Sequence, residues 1–253
     1  PVARERVPPA APSGAPERVS FATEDGVTIV ATLRRAPVRG APAVVLVHQL
    51  SSNRSEWAPV VERLSAAPGL TTLSIDLRGH GESVVGPSGP LDWHTFSPDD
   101  YRAMAKDVSA AVAYLRVNPG TTPSRIAVVG SSIGSSAALL AAAADPSIGA
   151  VALVSPGRAY RGIDAITPAS RLGERPLLAI AAQGEAAAVQ SAQDMARVAR
   201  AGRYVASRGS THGVGQFTDD PASLDALISF LRDPGAASEQ APALDTPSAQ
   251  AQP

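Results

Sequence analysis

Apolar and polar positions along the middle of the chain predict an alternation of strands and helices. Residues 43–47 form a continuous apolar run, as expected of a strand that is covered on both faces of its sheet. Residues 55–66 instead carry apolar side chains at helical spacing. Ser97 opens a longer helix, with an N-cap serine, a proline in the first turn and acids near the positive end of the helix dipole. This alternation favours an α/β fold with a mostly parallel sheet and helices on both faces.

The same pattern predicts about eight strands in total. Predicted strands lie at 19–23, 27–33, 43–47, 70–75, 126–129, 150–154, 177–181 and 204–207, and predicted helices at 55–66, from 97 onward, and at 135–144, 187–201 and 221–231. Glu24-Asp25-Gly26 separates the first two strands and is typical of a hairpin, which indicates antiparallel strands at one edge. Residues 76–96 form a long loop, and residues 156–175 are irregular with room for one short helix. We therefore expect no large cap domain and an open cleft.

The two ends of the chain differ in composition from its middle. Residues 1–16 contain five prolines, and residues 233–253 have a similar character, so we predict a disordered linker and a disordered tail around one domain at 17–232. The chain starts at Pro1 without a methionine. Removal of a signal peptide or attachment of a lipid upstream of Pro1 is one explanation, and trimming of the sequence is another. We expect a secreted or periplasmic location, with the cytoplasm as the alternative.

Composition excludes several classes of function. A net charge of −1 offers no electrostatic case for nucleic acid or for an anionic membrane. No apolar run approaches the roughly 18 residues needed to cross a bilayer. The absence of cysteine excludes disulfides, thiolate metal sites and a cysteine nucleophile. Lys106 is the one lysine among 22 basic residues, a bias that indicates a GC-rich bacterial genome and no particular function.

A candidate nucleophile lies in the stretch Arg-Ile-Ala-Val-Val-Gly-Ser-Ser-Ile-Gly at 125–134. Its apolar positions predict a short buried strand, and a helix-forming run of alanine and leucine follows. Gly-x-Ser-x-Gly between a strand and a helix is typical of a nucleophile elbow, here centred on Ser132. A β-carbon at Gly130 or Gly134 would collide with adjoining backbone in such a turn. A chance match is the alternative in a chain with 21 glycines, and the strand and helix context argues against it.

A serine nucleophile needs a base, and the chain has four histidines to supply it. His212 lies in a loop after the last predicted strand and before the last helix. Parallel strands deliver such a loop to the same sheet edge as the elbow. His212 also follows Ser132 in the sequence, in the order nucleophile, acid, base that accompanies a Gly-x-Ser-x-Gly elbow. We therefore predict that His212 is the general base.

Three further stretches resemble one protein family. Val-Leu-Val-His-Gln-Leu at 45–50, Asp-Leu-Arg-Gly-His-Gly-Glu-Ser at 76–83, and Ser155-Pro-Gly with the later Tyr160-Arg-Gly are similar to motifs of the α/β-hydrolase family. Together with the elbow they resemble small bacterial serine hydrolases and esterases related to dienelactone hydrolase, over about residues 17–232. Dienelactone hydrolases use a cysteine nucleophile, so the resemblance supports the scaffold, and the serine implies ordinary esterase chemistry.

The resemblance also implies an oxyanion hole. In the family the loop after the first parallel strand supplies one backbone N–H, and here that donor would be Leu50. Gln49 stands where glycine is usual. The second donor would be the N–H of Ile133, at the helix start directly after the nucleophile. Losing one such donor costs about 3 to 4 kcal/mol of transition-state stabilisation.

The acid of the triad stays open at this point. The family usually carries an aspartate in the loop after the strand at 177–181, but here that loop reads Gln-Gly-Glu-Ala-Ala-Ala-Val over 183–189. Glu185 is its one carboxylate and the first candidate. Asp164, after the preceding strand, is the second, and the absence of any orienting acid is the third alternative. Asp194 is expected to face solvent from the next helix. A missing acid would lower turnover by on the order of 10⁴-fold.

The remaining candidate residues have structural interpretations. His48 and His80 are predicted to hydrogen-bond loop backbone. Trp93, His94 and Phe96 lie in the long loop and either shape a substrate pocket or only pack the loop. The histidines lack metal-ligand spacing and no P-loop is present, so we predict neither a metal nor a cofactor.

These features predict a serine hydrolase that cleaves small carboxylic esters through an acyl-enzyme on Ser132. The small-molecule ester is the one partner that the sequence indicates, and it does not indicate an oligomeric state. One alternative is a non-catalytic or weakly active binding protein on the same scaffold, motivated by Gln49 and the alanine-rich acid loop. Another is a thioesterase or acyltransferase that uses the same site, because the fold does not determine the substrate.

Overall fold

A ten-stranded mixed sheet forms the centre of the computed structural model, which describes residues 14–38, 40–65, 69–118, 121, 123 and 125–235. The strands are β1 (Pro16–Ala22), β2 (Thr28–Arg34), β3 (Ala43–Val47), β4 (Thr71–Ile75), β5 (Val85–Gly86), β6 (Gly89–Pro90), β7 (Ile126–Ser131), β8 (Ile148–Val154), β9 (Leu177–Ala182) and β10 (Gly202–Ser207). The helices are α1 (Ala58–Ser65), α2 (Pro98–Val117), α3 (Ile133–Ala144), α4 (Ile166–Ser170), α5 (Ala186–Val198), α6 (Gln216–Asp219) and α7 (Pro221–Arg232).

The strand order is β10-β9-β8-β7-β3-β4-β2-β5-β6, with β1 paired to β2. Every neighbouring pair from β10 to β4 is parallel, whereas β2 pairs antiparallel with β1, β4 and β5. The predicted α/β architecture and its antiparallel hairpin are thus confirmed. The sheet has ten strands where the sequence predicted about eight, because β5 and β6 formed within the 76–96 loop. Strands of two residues are too short to leave a hydrophobic pattern.

Helices cover both faces of the sheet, as predicted. Side chains from α2, α3 and α5 pack on one face against Val45 and Val128. On the other face, Trp57 and residues of α1 and α7 pack against Val44 and Val129. Successive residues of a strand point to opposite faces, so the two cores lie on either side of the same strands. This double coverage explains why β3 is apolar throughout, since each fully buried side chain of this size contributes about 1.5 to 3 kcal/mol.

The two irregular loops contain more structure than the sequence indicated. α4 is the short helix expected between residues 156 and 175, and a one-turn α6 precedes α7. No large cap lies over the sheet in the described part of the chain. The predicted linker at 1–16 and tail at 233–253 fall almost wholly outside the described residues. No described helix combines the length and the apolar character that crossing a membrane requires.

The parallel strands deliver their following loops to a single edge of the sheet. These are the loops after β3, β4, β7, β8, β9 and β10, and they begin at residues 48, 76, 132, 155, 183 and 208. Every residue that the sequence singled out for catalysis lies in one of these loops or at the start of the helix that follows it. The topology therefore gathers the candidate side chains before any local geometry is considered.

Candidate active site

Ser132 lies between the last residue of β7 and the first residue of α3. Its backbone has φ 52° and ψ −116°, a left-handed conformation that a side chain disfavours. The Ser132 N–H donates to the carbonyl oxygen of Val154 at 2.9 Å, which ties the turn to the neighbouring strand. Strained backbone of this kind persists where the surrounding structure holds it, and it occurs often at functional sites. Its effect here is to turn the chain sharply at the serine.

Close backbone packing requires both glycines around Ser132. A β-carbon at Gly130 would lie 2.1 Å from the carbonyl oxygen of Gly134. A β-carbon at Gly134 would lie 2.5 Å from the carbonyl oxygens of Val47 and His48. Helix α3 therefore begins directly against β7 and the end of β3. This is the steric reason why the pattern has glycine on both sides of the serine.

His212 meets a carboxylate from the neighbouring loop. Its Nδ1 lies 2.5 Å from Oε1 of Glu185, the residue that precedes α5. The Gly184 N–H donates to the carbonyl oxygen of Gly209 at 2.9 Å, and a β-carbon at Gly184 would lie 2.5 Å from that of Ser210. The loops after β9 and β10 are thus in direct contact. With Nδ1 facing the carboxylate, Nε2 is the ring nitrogen left to take up a proton.

The other two carboxylates lie elsewhere. Asp164 is exposed and accepts from the Ile166 N–H at 3.0 Å, and hydrogen bonds from Thr167 and Ile166 hold its pKa below the usual range. Asp194 lies in α5, where it forms ion pairs with Arg158 and Arg197 and its side chain is 13% exposed. Of the candidate acids that the sequence left open, Glu185 is the one whose carboxylate contacts the His212 ring in the structure.

Tyr160 also reaches the elbow. Burial raises the pKa of its phenol, and an interaction with the side chain of Ser132 offsets part of that rise. The Tyr160 hydroxyl lies 3.4 Å from the carbonyl oxygen of Ser155. Gly157 makes room for the ring, because a β-carbon there would lie 2.3 Å from it. The motif resemblance at 155–162 implied no role for Tyr160 or Ser155, because their contacts join residues that are distant in the sequence or depend on the folded loop.

The two predicted oxyanion donors are at the same edge. Ile133 is the first residue of α3, so its N–H has no partner inside the helix. Leu50 lies in the turn after β3. Among the hydrogen bonds of the described residues, none uses the backbone N–H of Leu50 or of Ile133.

Gln49, which replaces the usual glycine, packs against the histidine loop. Its side-chain Oε1 accepts from the Ser131 hydroxyl at 3.5 Å. Gly213 has φ 66°, and a β-carbon there would lie 2.0 Å from Oε1 of Gln49. The positive φ favours glycine at position 213, and its lack of a side chain leaves room for the end of the Gln49 side chain.

The other histidines make structural contacts. Nε2 of His48 accepts from the Leu77 N–H at 3.0 Å, and Nδ1 lies 2.7 Å from the Gln49 carbonyl oxygen. Burial lowers the pKa of His48 to about 4, so the ring is neutral at physiological pH. His80 contacts the Arg78 carbonyl oxygen and stacks on Trp93 at 5.2 Å between ring centroids. Trp93 in turn stacks on His94, so these rings pack the long loop.

A resident metal ion has no evident place among the residues described. No group of three or more histidine, aspartate or glutamate side chains lies close enough together there to bind one.

Comparison with known proteins adds a family and several relatives. The sequence model of the alpha/beta hydrolase fold family matches residues 42–191. A thiohydrolase, apmlB, from Arthrinium phaeospermum is 33% identical over 143 residues, which cover 56% of this chain and 44% of that protein. An acyltransferase, drtE, from Aspergillus calidoustus is 32% identical over 149 residues, which cover 59% and 46%. The chain thus matches less than half the length of each of these curated relatives.

Solved structures agree with the fold. The Pyrococcus furiosus esterase Pf2001 superposes with a TM-score of 0.68 at 18% identity, covering 87% of this chain and 92% of that one. A dienelactone hydrolase from Anabaena variabilis superposes with a TM-score of 0.63 at 21% identity, covering 88% and 96%. At these identities the likeness concerns the fold alone.

Proposed function

Because this chain belongs to the alpha/beta hydrolase fold family, we propose that it is a serine hydrolase that cleaves small carboxylic esters. The observation that carries the proposal is the 2.5 Å contact between His212 Nδ1 and Glu185 Oε1, at the sheet edge where Ser132 occupies its strained turn. Nucleophile, base and acid come from three loops that the topology brings together. The same contact supports this proposal over the alternative of a binding protein without catalytic activity, which Gln49 and the alanine-rich acid loop motivated.

The reaction would proceed in two acyl-transfer steps. Nε2 of His212 takes the Ser132 proton while Oγ attacks the ester carbonyl carbon, and Glu185 stabilises the imidazolium that forms. The amides of Leu50 and Ile133 donate to the oxyanion of the tetrahedral intermediate. The intermediate collapses as His212 returns the proton to the departing alcohol, which leaves the acyl group on Ser132. Water, deprotonated by His212, then releases the acid by the same route in reverse.

The exposure of the site favours substrates that are small or presented on a surface. The His212 side chain is 40% exposed and that of Glu185 17% exposed. The segment 156–175, where a cap could be inserted, contains only a five-residue helix among its described elements. A long acyl chain would find little enclosing protein there, whereas a short ester can reach Ser132 directly.

A thioester substrate is the second candidate, and the names of the two curated relatives favour it. One is called a thiohydrolase and the other an acyltransferase. Both names describe transfer of an acyl group, to water or to another acceptor, which the acyl-enzyme on Ser132 would permit. A thiolate leaves more readily than an alkoxide because a thiol is a far stronger acid, with a pKa of about 8.5. Proton return from His212 would then matter less in the first step.

Active-site labelling tests the proposal. We expect a fluorophosphonate probe to label folded wild-type protein at Ser132 and to leave the Ser132→Ala variant unlabelled. We also expect kcat/KM for a chromogenic ester to rise between about pH 5 and pH 8, the range in which a histidine base loses its proton. Absence of labelling in folded protein would overturn the proposal, and a flat pH profile would exclude a histidine base.

Matched oxygen and sulfur esters separate the two candidate substrates. An aryl ester and a thioester with the same acyl group would be compared on the wild type, with Ser132→Ala as the blank. A preference of kcat/KM for the oxygen ester supports the first candidate. A preference for the thioester that exceeds its rate of spontaneous hydrolysis supports the second.

A further inference from the structure

Ser155 is a buried serine of unusual conformation at the active-site edge. It directly follows β8 and its side chain is 0% exposed. Its φ of 46° lies in the left-handed region, where a residue with a side chain is disfavoured and glycine is the usual choice. The contacts of its hydroxyl group bear on what a serine does at this position.

Three groups surround the Ser155 hydroxyl oxygen within hydrogen-bond distance. The Gly213 N–H lies at 2.9 Å and the Gln216 side-chain Nε2 at 3.1 Å, and both are donors. Oε2 of Glu185 lies at 2.8 Å and is an acceptor. The orientation of the Gln216 amide is consistent with these roles, because the same Nε2 also donates to the Gly213 carbonyl oxygen at 3.0 Å. The donors occupy the two lone pairs of Oγ, so its single proton is directed at Glu185.

Hydrogen bonds to both carboxylate oxygens fix the position of the Glu185 side chain. Oε1 accepts from His212 and Oε2 accepts from Ser155. A glutamate has one more rotatable bond than the aspartate usual in this family, so it loses more conformational freedom when it is fixed in one position. A hydrogen bond to the second oxygen supplies the restraint that the longer side chain needs.

The same hydroxyl holds the loop of the base. Gly213 is the residue after His212, and its N–H is bonded to Ser155 in the buried interior. One hydroxyl group therefore contacts the acid on one side and the backbone beside the base on the other. A displacement of either loop would break one of these bonds. The distance between Glu185 and His212 thus depends on Ser155.

We propose that Ser155 is a positioning residue of the active site: its hydroxyl holds Glu185 and the His212 loop in register, so that His212 keeps its proton on Nδ1 and presents Nε2 to Ser132. This inference rests on the proposed function, in which Glu185 orients the base. Ser155 acts through Glu185 and does not itself contact substrate. Its effect is therefore on turnover and on the histidine, with little effect on substrate affinity.

The first experiment separates the hydroxyl from the backbone conformation. We expect Ser155→Ala to lower kcat about 10- to 100-fold, the range for loss of a hydrogen bond to a charged group, with KM nearly unchanged. Ser155→Gly relieves the left-handed conformation but also lacks the hydroxyl, so it should be as slow as the alanine variant and at least as stable. Recovery of wild-type turnover by the glycine variant would overturn the proposal in favour of backbone strain.

A matched control tests whether any buried serine on this side of the sheet matters equally. Ser207 is also 0% exposed and ends β10, and its hydroxyl contacts the Ser223 hydroxyl at 3.1 Å and the Arg208 carbonyl oxygen at 3.5 Å, neither of which belongs to the acid or the base. We expect Ser207→Ala to retain wild-type turnover. A loss as large as that of Ser155→Ala would attribute the effect to packing and overturn the assignment.

A double-mutant cycle tests the route through Glu185. If Ser155 acts by holding that carboxylate, Ser155→Ala should change turnover less than about twofold in a Glu185→Ala background, because coupled residues are not additive. An undiminished effect in that background would show that Ser155 acts independently of Glu185, which overturns the proposal.

An NMR measurement keeps this inference separate from the proposed function. The Nδ1–H of His212, hydrogen-bonded to Glu185, should give a downfield proton resonance in wild type that is lost in Ser155→Ala and Glu185→Ala and retained in Ser207→Ala. If wild type neither hydrolyses esters or thioesters nor reacts with the fluorophosphonate, the proposed function fails while this resonance still decides the role of Ser155. A resonance unchanged in Ser155→Ala would overturn the positioning role.

Discussion

At the scale of single residues, the length of the Glu185 side chain matters to the site. Glu185 precedes α5 and extends its carboxylate to His212, whereas the first three residues of α5, at 186–188, are alanines without a carboxylate. Asp164, by contrast, uses its carboxylate on the Ile166 N–H at the start of α4. Both acids follow strands of the same sheet. They differ in the group that each carboxylate contacts, which is the His212 ring for Glu185 and a backbone N–H for Asp164.

Exchange of Glu185 for glutamine tests this assignment. Glutamine keeps the size of the side chain but lacks its charge and permits the wrong histidine tautomer, so we expect kcat to fall by on the order of 10³ to 10⁴. The measurement is steady-state hydrolysis of a chromogenic ester across a pH range. Asp164→Asn is the matched control and should retain full turnover. Equal losses in the two variants would contradict the choice of Glu185.

At the scale of elements, α3 is placed by the contact of its first turn with two strands. Gly134 lies so close to the C-terminal end of β3 that a methyl group there would overlap the carbonyl oxygens of Val47 and His48. These are backbone atoms, which cannot move without disturbing the sheet. The elbow therefore does two things: it holds Ser132 in its turn, and it packs the start of α3 directly against β7 and β3.

Gly134→Ala should destabilise the whole domain. We expect the free energy of unfolding to fall by about 3 kcal/mol or more, because the overlap forces a backbone shift in a well-packed core. Urea denaturation gives the value. Gly149→Ala in β8 is the control, since its β-carbon would meet the flexible Arg125 side chain at 3.1 Å, and it should cost clearly less. Similar costs for the two variants would rule out the proposed close approach.

Helix α2 depends on its first turn in a different way. Ser97 and Asp100 form a capping box, in which the Ser97 N–H donates to Oδ2 of Asp100 at 2.8 Å and the Ser97 hydroxyl accepts from the Asp100 N–H at 3.3 Å. We expect Ser97→Ala to lower the free energy of unfolding by about 1 kcal/mol. Ser109→Ala, in the middle of the same helix, should be neutral or slightly stabilising because alanine is the better helix former. Chemical denaturation of both variants measures the difference, and an equal effect would argue against the cap.

At the scale of the whole molecule, buried polar groups connect the active-site edge to the interior. Asp76, fully buried, accepts from the N–H groups of Arg54 at 2.7 Å and of Glu82 at 2.8 Å. The Arg78 guanidinium pairs with Asp107 and Asp25. The Asp-x-Arg-Gly-His-Gly-x-Ser motif is thus a structural device that holds the loop after β4. His48 belongs to the same interior and is buried in its neutral form.

Stability should fall in acid partly through His48. Its pKa is lowered to about 4 by burial, below the unfolded value near 6.5. The stabilisation that comes from keeping His48 neutral in the folded state is therefore fully present above pH 6.5. It is lost as the pH falls from 6.5 to about 4, because the unfolded chain takes up a proton that the folded protein does not. The free energy of unfolding falls by about 3 kcal/mol over this range. Gln at this position keeps a donor and an acceptor but cannot titrate.

The difference between wild type and His48→Gln isolates this group. We expect the free energy of unfolding, measured by urea at several pH values, to fall more steeply below pH 6.5 in wild type than in the variant. His94→Gln changes an exposed histidine and serves as the control. Parallel pH curves for wild type and His48→Gln would contradict the buried neutral ring.

Local patterns in the sequence determined the strands, the main helices and the position of the elbow. An apolar run, a capping box or a Gly-x-Ser-x-Gly turn depends on residues within a few positions of each other. Each can therefore be recognised from the sequence alone. β5, β6 and α6 were not predicted, because elements of two to four residues are too short to show a periodic pattern of apolar positions. Ser132 and His212 were predicted from their places relative to predicted strands.

Only the tertiary structure decided which acid meets the histidine and what holds it there. β9 and β10 are neighbours, and this adjacency brings Glu185 to His212 while Asp164 stays on the surface. The role of Ser155 depends on residues after β9 and β10 that lie 30 to 61 positions from it in the sequence. Contacts between such distant residues are properties of the folded sheet edge, and no local pattern contains them.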